Sequence, residues 1–228
     1  ECMNQLSHNI ASIAPSRYAW GCSEGGALES LGDICREDVN IAVWQRKLSE
    51  ELTQAAGTIL DQFPALKISL IASPEAIYPA IDRELGFSAE SKVLAEDIAH
   101  LADIYASLFD LNRVGLRVSA LDRAMCPRFH VDRVPCRLVT TYQGAATEWL
   151  PNIFADRTKL GVGNQGKPDD QSGLFDCAND VQYLGRGDVA LLKGESWEGN
   201  EGNGLIHRSP RLSGNIRRLL LTLDFMED

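Results

Sequence analysis

Two of the chain's four histidines lie in its carboxyl-terminal half, each inside a short strand-like segment. His130 is followed two residues later by Asp132, and in an extended segment residues at this spacing point to the same face. A second imidazole from a later strand, His207, would complete a set of two imidazoles and one carboxylate on one side of a metal ion. The spacing therefore predicts a metal site, of the kind typical of non-haem Fe(II), whose opposite coordination positions stay open for other ligands.

Two arginines follow the second histidine at the start of the last apolar run. In a strand here, Leu219 and Leu221 share one face, and Arg218 and Leu220 share the other. Arg218 is therefore expected to point inward and Arg217 to be its solvated neighbour, although a strand bulge would reverse this assignment. A buried guanidinium needs an anionic partner, and a dicarboxylate offers a bidentate one.

Together, the segment Phe-His-Val-Asp at 129–132, the distal His207 and the trailing Arg218 resemble the Fe(II)/2-oxoglutarate-dependent dioxygenases. The Gly-Asp turn at 187–188, which opens the predicted strand before His207, resembles the turn at the same place in the phytanoyl-CoA hydroxylase-like branch of these enzymes. The whole chain also resembles a bacterial family of unknown function that shares the segments Phe-His-x-Asp, Thr-Tyr-x-Gly, Thr-Glu-Trp-Leu-Pro and His-Arg-Ser-Pro.

This resemblance implies a double-stranded β-helix, a jelly-roll or cupin-like fold, and oxidation of a small-molecule substrate by Fe(II), O2 and 2-oxoglutarate. The implied metal ligands and catalytic centre are His130, Asp132 and His207. The resemblance further implies that Arg218, or alternatively Arg217, binds the far carboxylate of 2-oxoglutarate. Tyr142 is a candidate for a hydrogen bond to the same co-substrate, and its alternative interpretation is an ordinary core aromatic residue.

Other interpretations of the same residues stay open. Cys126 and Cys136 flank the histidine motif and favour Zn2+ as an alternative metal, in a non-catalytic zinc-handling protein of cupin-like fold. Ten of the sixteen arginines lie in residues 113–137 and 207–218, where the only acids are Asp122 and Asp132. This cluster indicates either a positive funnel for an anionic substrate or cross-strand ion pairs with acids elsewhere.

Composition restricts the class of protein. A content of 44% hydrophobic and 24% charged residues supports one sizeable core, and the net charge of −10 argues against broad binding to nucleic acid or anionic membranes. No apolar run reaches a membrane span, and residues 1–16 lack the pattern of a secretion signal. Six cysteines without a C-x-x-C pair predict reduced thiols and a cytoplasmic location. The oligomeric state stays open.

The sequence pattern around these residues predicts an α+β fold with two regions that form one compact unit. Residues 1–111 are expected to be mostly helical and to pack on a sheet formed by residues 112–228. Within the first region we expect a strand at 39–43 and helices at 48–63, 73–85 and 91–111. The predicted strands of the second region are 114–121, 137–142, 181–184, 189–192, 204–206 and 218–225. The Gly-, Asn- and Asp-rich segment 151–180 is too long for a simple connection and is expected to be a lid or disordered.

Overall fold

A computed structural model describes residues 21–214 and 216–226 of the chain. Its α-helices are α1 (Glu50–Gln62), α2 (Pro74–Glu84) and α3 (Ala89–Phe109). Its strands are β1 (Gly21–Gly25), β2 (Val39–Trp44), β3 (Lys67–Ala72), β4 (Val114–Leu121), β5 (Cys136–Gln143), β6 (Glu148–Leu150), β7 (Gln182–Tyr183), β8 (Val189–Lys193), β9 (Ile206–Arg208) and β10 (Arg218–Phe225). A 3-10 helix covers Leu28–Cys35, and shorter ones lie between 152 and 180.

Local sequence explains where the long helices begin. The Ser49 hydroxyl accepts a hydrogen bond from the Leu52 amide, and the Ser88 hydroxyl accepts one from the Ser91 amide, which caps α1 and α3. Pro74 occupies the first turn of α2, where a missing N–H costs nothing. Helix α3 ends at Phe109, and the capping residue that follows, Asp110, adopts a left-handed conformation with φ of 52°.

The strands form two sheets. The larger has the order β1-β2-β8-β5-β10-β4-β3, and its central strands pair antiparallel, whereas β1 and β2 pair parallel. The smaller has the order β7-β6-β9. The protein is thus a mixed α/β structure, and β2 and β3 from the first 111 residues join the same sheet as the later strands.

Alternation along β10 divides the core between the two faces of the large sheet. Leu219, Leu221 and Leu223 are buried against the three helices, as the sequence predicts. Leu220 lies on the opposite face, in a second cluster with Trp149 of β6 and residues of β2, β5 and β8. The small sheet therefore covers part of the inner face of the large sheet, and the helices cover its outer face.

Most of the predicted elements are present. The bounds of β4 and β10 match their predicted runs, and α1, α2 and α3 lie where helical periodicity placed them. Strands β1, β3 and β6 were not predicted. The expectations for residues 1–16 and for Cys2 fall outside the described residues. Within the described part of the chain, none of the helices has the length and hydrophobicity needed to span a membrane.

Candidate metal and co-substrate site

A single pair of backbone hydrogen bonds brings the two predicted histidines together. The His130 amide donates to the His207 carbonyl and the His207 amide donates to the His130 carbonyl, each at 3.0 Å. This antiparallel bridge leaves the two imidazole rings 4.6 Å apart between centroids. Asp132 approaches both rings, with Oδ1 3.6 Å from His130 Nε2 and Oδ2 3.3 Å from His207 Nε2. One ligand atom from each of the three residues lies within 4.8 Å of the others.

The hydrogen bonds of the rings set which nitrogen is available to a metal. Nδ1 of His130 lies 3.0 Å from the Arg128 carbonyl, and Nδ1 of His207 lies 3.0 Å from the Leu205 carbonyl. Because a carbonyl only accepts, each Nδ1 carries the hydrogen, and each Nε2 faces the other ring and Asp132. A protonated Nε2 donates to the Asp132 carboxylate, whereas Nε2 of a neutral ring has its lone pair available for a metal. Metal-binding histidines are held in this way by their second nitrogen.

The Nε2 atoms of the two imidazoles and the Asp132 carboxylate thus lie close together, and this arrangement favours a bound positive charge. Hydrogen bonds from His130 and His207 and the charge of Arg137 hold the pKa of Asp132 well below its usual range, although burial alone would raise it. A hydrogen bond to Asp132 raises the pKa of His130, although burial lowers it. The donor set of two imidazoles and one carboxylate fits a divalent cation.

Arg218 is buried at 2% exposure beside this group, and it has no carboxylate partner among the described residues. Its Nε and Nη2 donate to the Thr141 hydroxyl at 3.2 and 2.9 Å, and Nη2 also donates to the Thr147 hydroxyl at 2.8 Å. Burial lowers the pKa of the guanidinium to about 10. A buried cation without an anion is costly, so the arrangement is suited to a ligand that brings one.

One cavity of about 100 Å³ connects the two groups. His130 and His207 line one side of it and Arg218 lines another. Its apolar wall is formed by Val139, Leu192 and Leu220. A molecule in this cavity therefore meets the histidine pair and the guanidinium at the same time.

Gly144 allows the chain to approach Arg218 closely. Its φ of +85° lies in the region that favours glycine, and a Cβ there would lie 2.5 Å from the Arg217 carbonyl oxygen and 3.0 Å from the Arg218 Cα. The turn after β5 consequently packs on the start of β10, which carries the buried Arg218.

Arg137 is a site residue that the sequence analysis counted only as one of many arginines. Its Nη1 donates to Asp132 Oδ2 at 2.6 Å, while Nε and Nη2 donate to the two oxygens of Asp224 at 2.7 and 3.1 Å. Arg117 reaches the same Asp224 at 3.0 Å. The carboxylate of Asp132 is therefore held by a charged chain that crosses three strands. Alternation would have placed Arg137 inward with Val139 and Thr141.

Two of the predicted co-substrate contacts lie elsewhere. Tyr142 is fully buried on the helix side of β5, where its hydroxyl donates to Asp97 at 2.7 Å, so it does not face the cavity. Arg217 points away from the cavity and donates to the Leu60 carbonyl and to Asp61. The hydroxyls that lie beside Arg218 are those of Thr141 and Thr147.

The predicted zinc-favouring cysteines are separated. Cys126 lines the cavity that contains the histidines, whereas Cys136 is fully buried in the cluster on the helix side. Among the described residues, neither thiol belongs to the group of ligand atoms around Asp132.

Among the described residues, five of the ten clustered arginines form ion pairs, namely Arg117, Arg123, Arg137, Arg208 and Arg217. Arg208, next to His207, donates to Glu148 at 2.6 Å and to Asp169 at 2.9 Å. Asp169 also accepts the Phe129 amide at 3.0 Å, next to His130. This network ties the segments on both sides of the histidine bridge to segment 151–180.

Segment 151–180 is ordered by such contacts and by a small apolar cluster. Arg128 donates to the Lys167 and Gly166 carbonyls, and Leu174 packs in a core with Phe129 and Ile206. Its described residues do not line the cavity. The segment therefore supports the strands that carry the histidines, and its predicted role as a lid stays untested.

Comparison with known proteins relates this geometry to a family and a fold. A family model described as a protein of unknown function, DUF1826, matches residues 26–224. Curated proteins give no match to the sequence.

Two solved structures share the fold at low identity. A rice dioxygenase for auxin oxidation is 11% identical, with a TM-score of 0.51, 90% of this chain covered and 82% of the rice chain. A full-length Neurospora crassa protein, solved in complex with alpha-KG, is 8% identical, with a TM-score of 0.51, 93% of this chain covered and 86% of the other.

Proposed function

We propose that this chain, which belongs to the DUF1826 family of proteins of unknown function, is an oxygenase that uses Fe(II) and 2-oxoglutarate, on a double-stranded β-helix. The observation that carries this proposal is the pairing within one cavity of a His-Asp-His ligand group and a buried arginine without an acidic partner among the described residues. A metal site alone does not require that arginine.

Each of these residues has a defined task in the proposal. His130, Asp132 and His207 would hold Fe(II), which when bound supplies the oxidative chemistry with O2 and 2-oxoglutarate. Arg218 binds the carboxylate of 2-oxoglutarate that is far from the metal, and the hydroxyls of Thr141 and Thr147 orient the guanidinium for it. Arg137 fixes the Asp132 carboxylate so that it faces both imidazoles.

The inner wall of the cavity suits this task. Val139, Leu192 and Leu220 give it an apolar lining, which strengthens the attraction between a guanidinium and a carboxylate by excluding water. The substrate that is oxidised would be a small molecule that reaches the open side of the metal. The cytoplasmic location and the absence of nucleic-acid binding expected from the composition belong to the same proposal.

The alternative function is a zinc-handling protein without oxygenase activity, and Cys126 on the cavity wall is the observation that favours it. In that case the metal site would bind Zn2+ and would not depend on Arg218. The two functions therefore differ in one measurable requirement.

The test is an anaerobic titration of 2-oxoglutarate into the Fe(II)-loaded protein, followed by visible absorption. We expect a weak charge-transfer band that is absent in His130→Ala and needs far more 2-oxoglutarate in Arg218→Ala. Arg217→Ala is the matched control, because it removes a neighbouring arginine that faces Asp61 instead of the cavity. Uptake of metal without a band would support the zinc-handling alternative, and a protein that takes up no metal would contradict both.

A further inference from the structure

A second concave surface opens beside the cavity. It is a groove of about 640 Å³ lined by residues of β3 and β4 and by residues 122–125. Arg117, Ser119 and Met125 line both the cavity and this groove, so the two spaces lie side by side.

The groove exists because the small sheet covers only part of the large one. Cluster residues from β6 and the loops beside it pack on β2, β5 and β8, whereas β3 is the far edge strand of the large sheet. The side chains of β3 on this face, Lys67, Ser69 and Ile71, are exposed, while Ile68 on the opposite face is buried. A polar face of the sheet thus leads from solvent to the histidines.

Charge distinguishes this groove from the rest of the molecule. Lys67, Arg117 and Arg123 line it, with Asp122 as its one acid, in a chain whose net charge is −10. Lys67 has no acidic partner among the described residues, and Arg123 has only a 3.9 Å approach to Asp122. Arg117 is paired with Asp224, but its side chain is 57% exposed. Such a local excess of positive charge attracts anions.

We infer that this groove is the substrate subsite and that it takes a small organic anion, held at Lys67 and Arg123 by a carboxylate or phosphate group. The inference rests on the proposed function, since it assigns the substrate class of the same site. The uncharged end of the molecule then extends past Ser119 and Met125 into the cavity, where it meets the open side of the histidine group.

The test follows the lysines by NMR after reductive methylation with 13C-formaldehyde, while acetate and inorganic phosphate are added in separate titrations. Lys67 and Lys47 are both exposed, and Lys67→Arg and Lys47→Arg assign their signals. We expect a saturable shift of the Lys67 signal that is reduced in Arg123→Ala and by about 0.15 M NaCl, with only a small, linear change at Lys47. The probe that saturates at lower concentration identifies the acidic group of the substrate.

An equal, unsaturable response of Lys67 and Lys47 to both anions would overturn the inference. The measurement needs no metal, and we expect it to be unchanged in His130→Ala. A failure of the proposed function, seen as a missing absorption band, is therefore distinguishable from a failure of this inference, seen as a missing Lys67 response.

Discussion

Replacing Arg218 by Met distinguishes the effect of this buried arginine on stability from its role in binding 2-oxoglutarate. The lowering of its pKa from 12.5 to about 10 corresponds to about 3 kcal/mol against the charged form, a cost that the ligand-free protein bears. Its three hydrogen bonds to threonine hydroxyls contribute about 1 kcal/mol each. Because the two contributions oppose each other and are similar in size, we expect Arg218→Met to change the free energy of unfolding of the ligand-free protein much less than Arg137→Met does.

Binding of 2-oxoglutarate should respond very differently. Two charge-assisted hydrogen bonds to a carboxylate contribute at least about 3 kcal/mol, and each 1.4 kcal/mol is a factor of about ten in Kd. We therefore expect Arg218→Met to raise the Kd for 2-oxoglutarate by about 100-fold or more. Urea denaturation measures the first quantity, and anaerobic calorimetry on the Fe(II)-loaded protein measures the second.

Arg137→Met is the control, because Arg137 is a partly buried arginine that has acidic partners. The substitution removes the ion pair with Asp132 and two hydrogen bonds to Asp224, which keeps only Arg117, so it should cost about 3 kcal/mol of unfolding free energy. Equal destabilisation by Arg218→Met and Arg137→Met would show that Arg218 is an ordinary structural residue. A change in Kd of less than about tenfold would refute the assigned carboxylate contact.

Three further predictions concern the supports of the site. Gly144→Ala should lower the free energy of unfolding by about 2 kcal/mol or more, because it adds a steric clash to the positive φ, whereas Gly86→Ala, with φ of +89° and open space, should cost about 1 kcal/mol by urea denaturation. Asp169→Asn removes the charge that pairs with an arginine beside the histidine bridge and should speed tryptic cleavage within 151–180, while the exposed neighbour Asp170→Asn should leave the rate unchanged. Divalent metal at about 100 times its Kd should stabilise the protein by about 2.7 kcal/mol, and EDTA should remove this stabilisation. Thermal unfolding with and without EDTA measures the effect, and His207→Ala should unfold at the same temperature in both conditions.

The sequence was most informative where one periodicity extended over a whole element. Strand β10 alternates leucines that face the helices with residues that face the cavity, and its bounds and the inward direction of Arg218 followed from that pattern. Helix α3 was similarly clear from its apolar stripe. The short strand β6 has only three residues, and all of them are buried, so it carries no alternation to read. Strand β3 has only six residues, and Ile71 on its exposed inner face interrupts the alternation of polar and apolar residues that Lys67 to Leu70 begin.

Tyr142 illustrates the difference between a position carried over from a resemblance and one set by strand geometry. The resemblance to Fe(II)/2-oxoglutarate-dependent dioxygenases makes Tyr142 a candidate, whereas alternation along β5 puts Thr141 on the face of Arg137 and Val139 and puts Tyr142 toward the helices. The same rule that oriented Arg218 would have selected the threonine.

The remaining part of the site arises from contacts that are remote in the chain. Arg218 of β10 meets Thr141 of β5 and Thr147 next to β6, more than 70 residues away in each case. No local pattern predicts such contacts, because the first depends on which strands pair within the large sheet and the second on how the two sheets pack. The sequence does predict that Arg218 lies on an inward face. That it has no acidic partner among the described residues is evident only from the packing of the surrounding strands. A buried cation that its own chain leaves without an anion therefore indicates the charge of the missing ligand, and here that charge agrees with the metal site beside it.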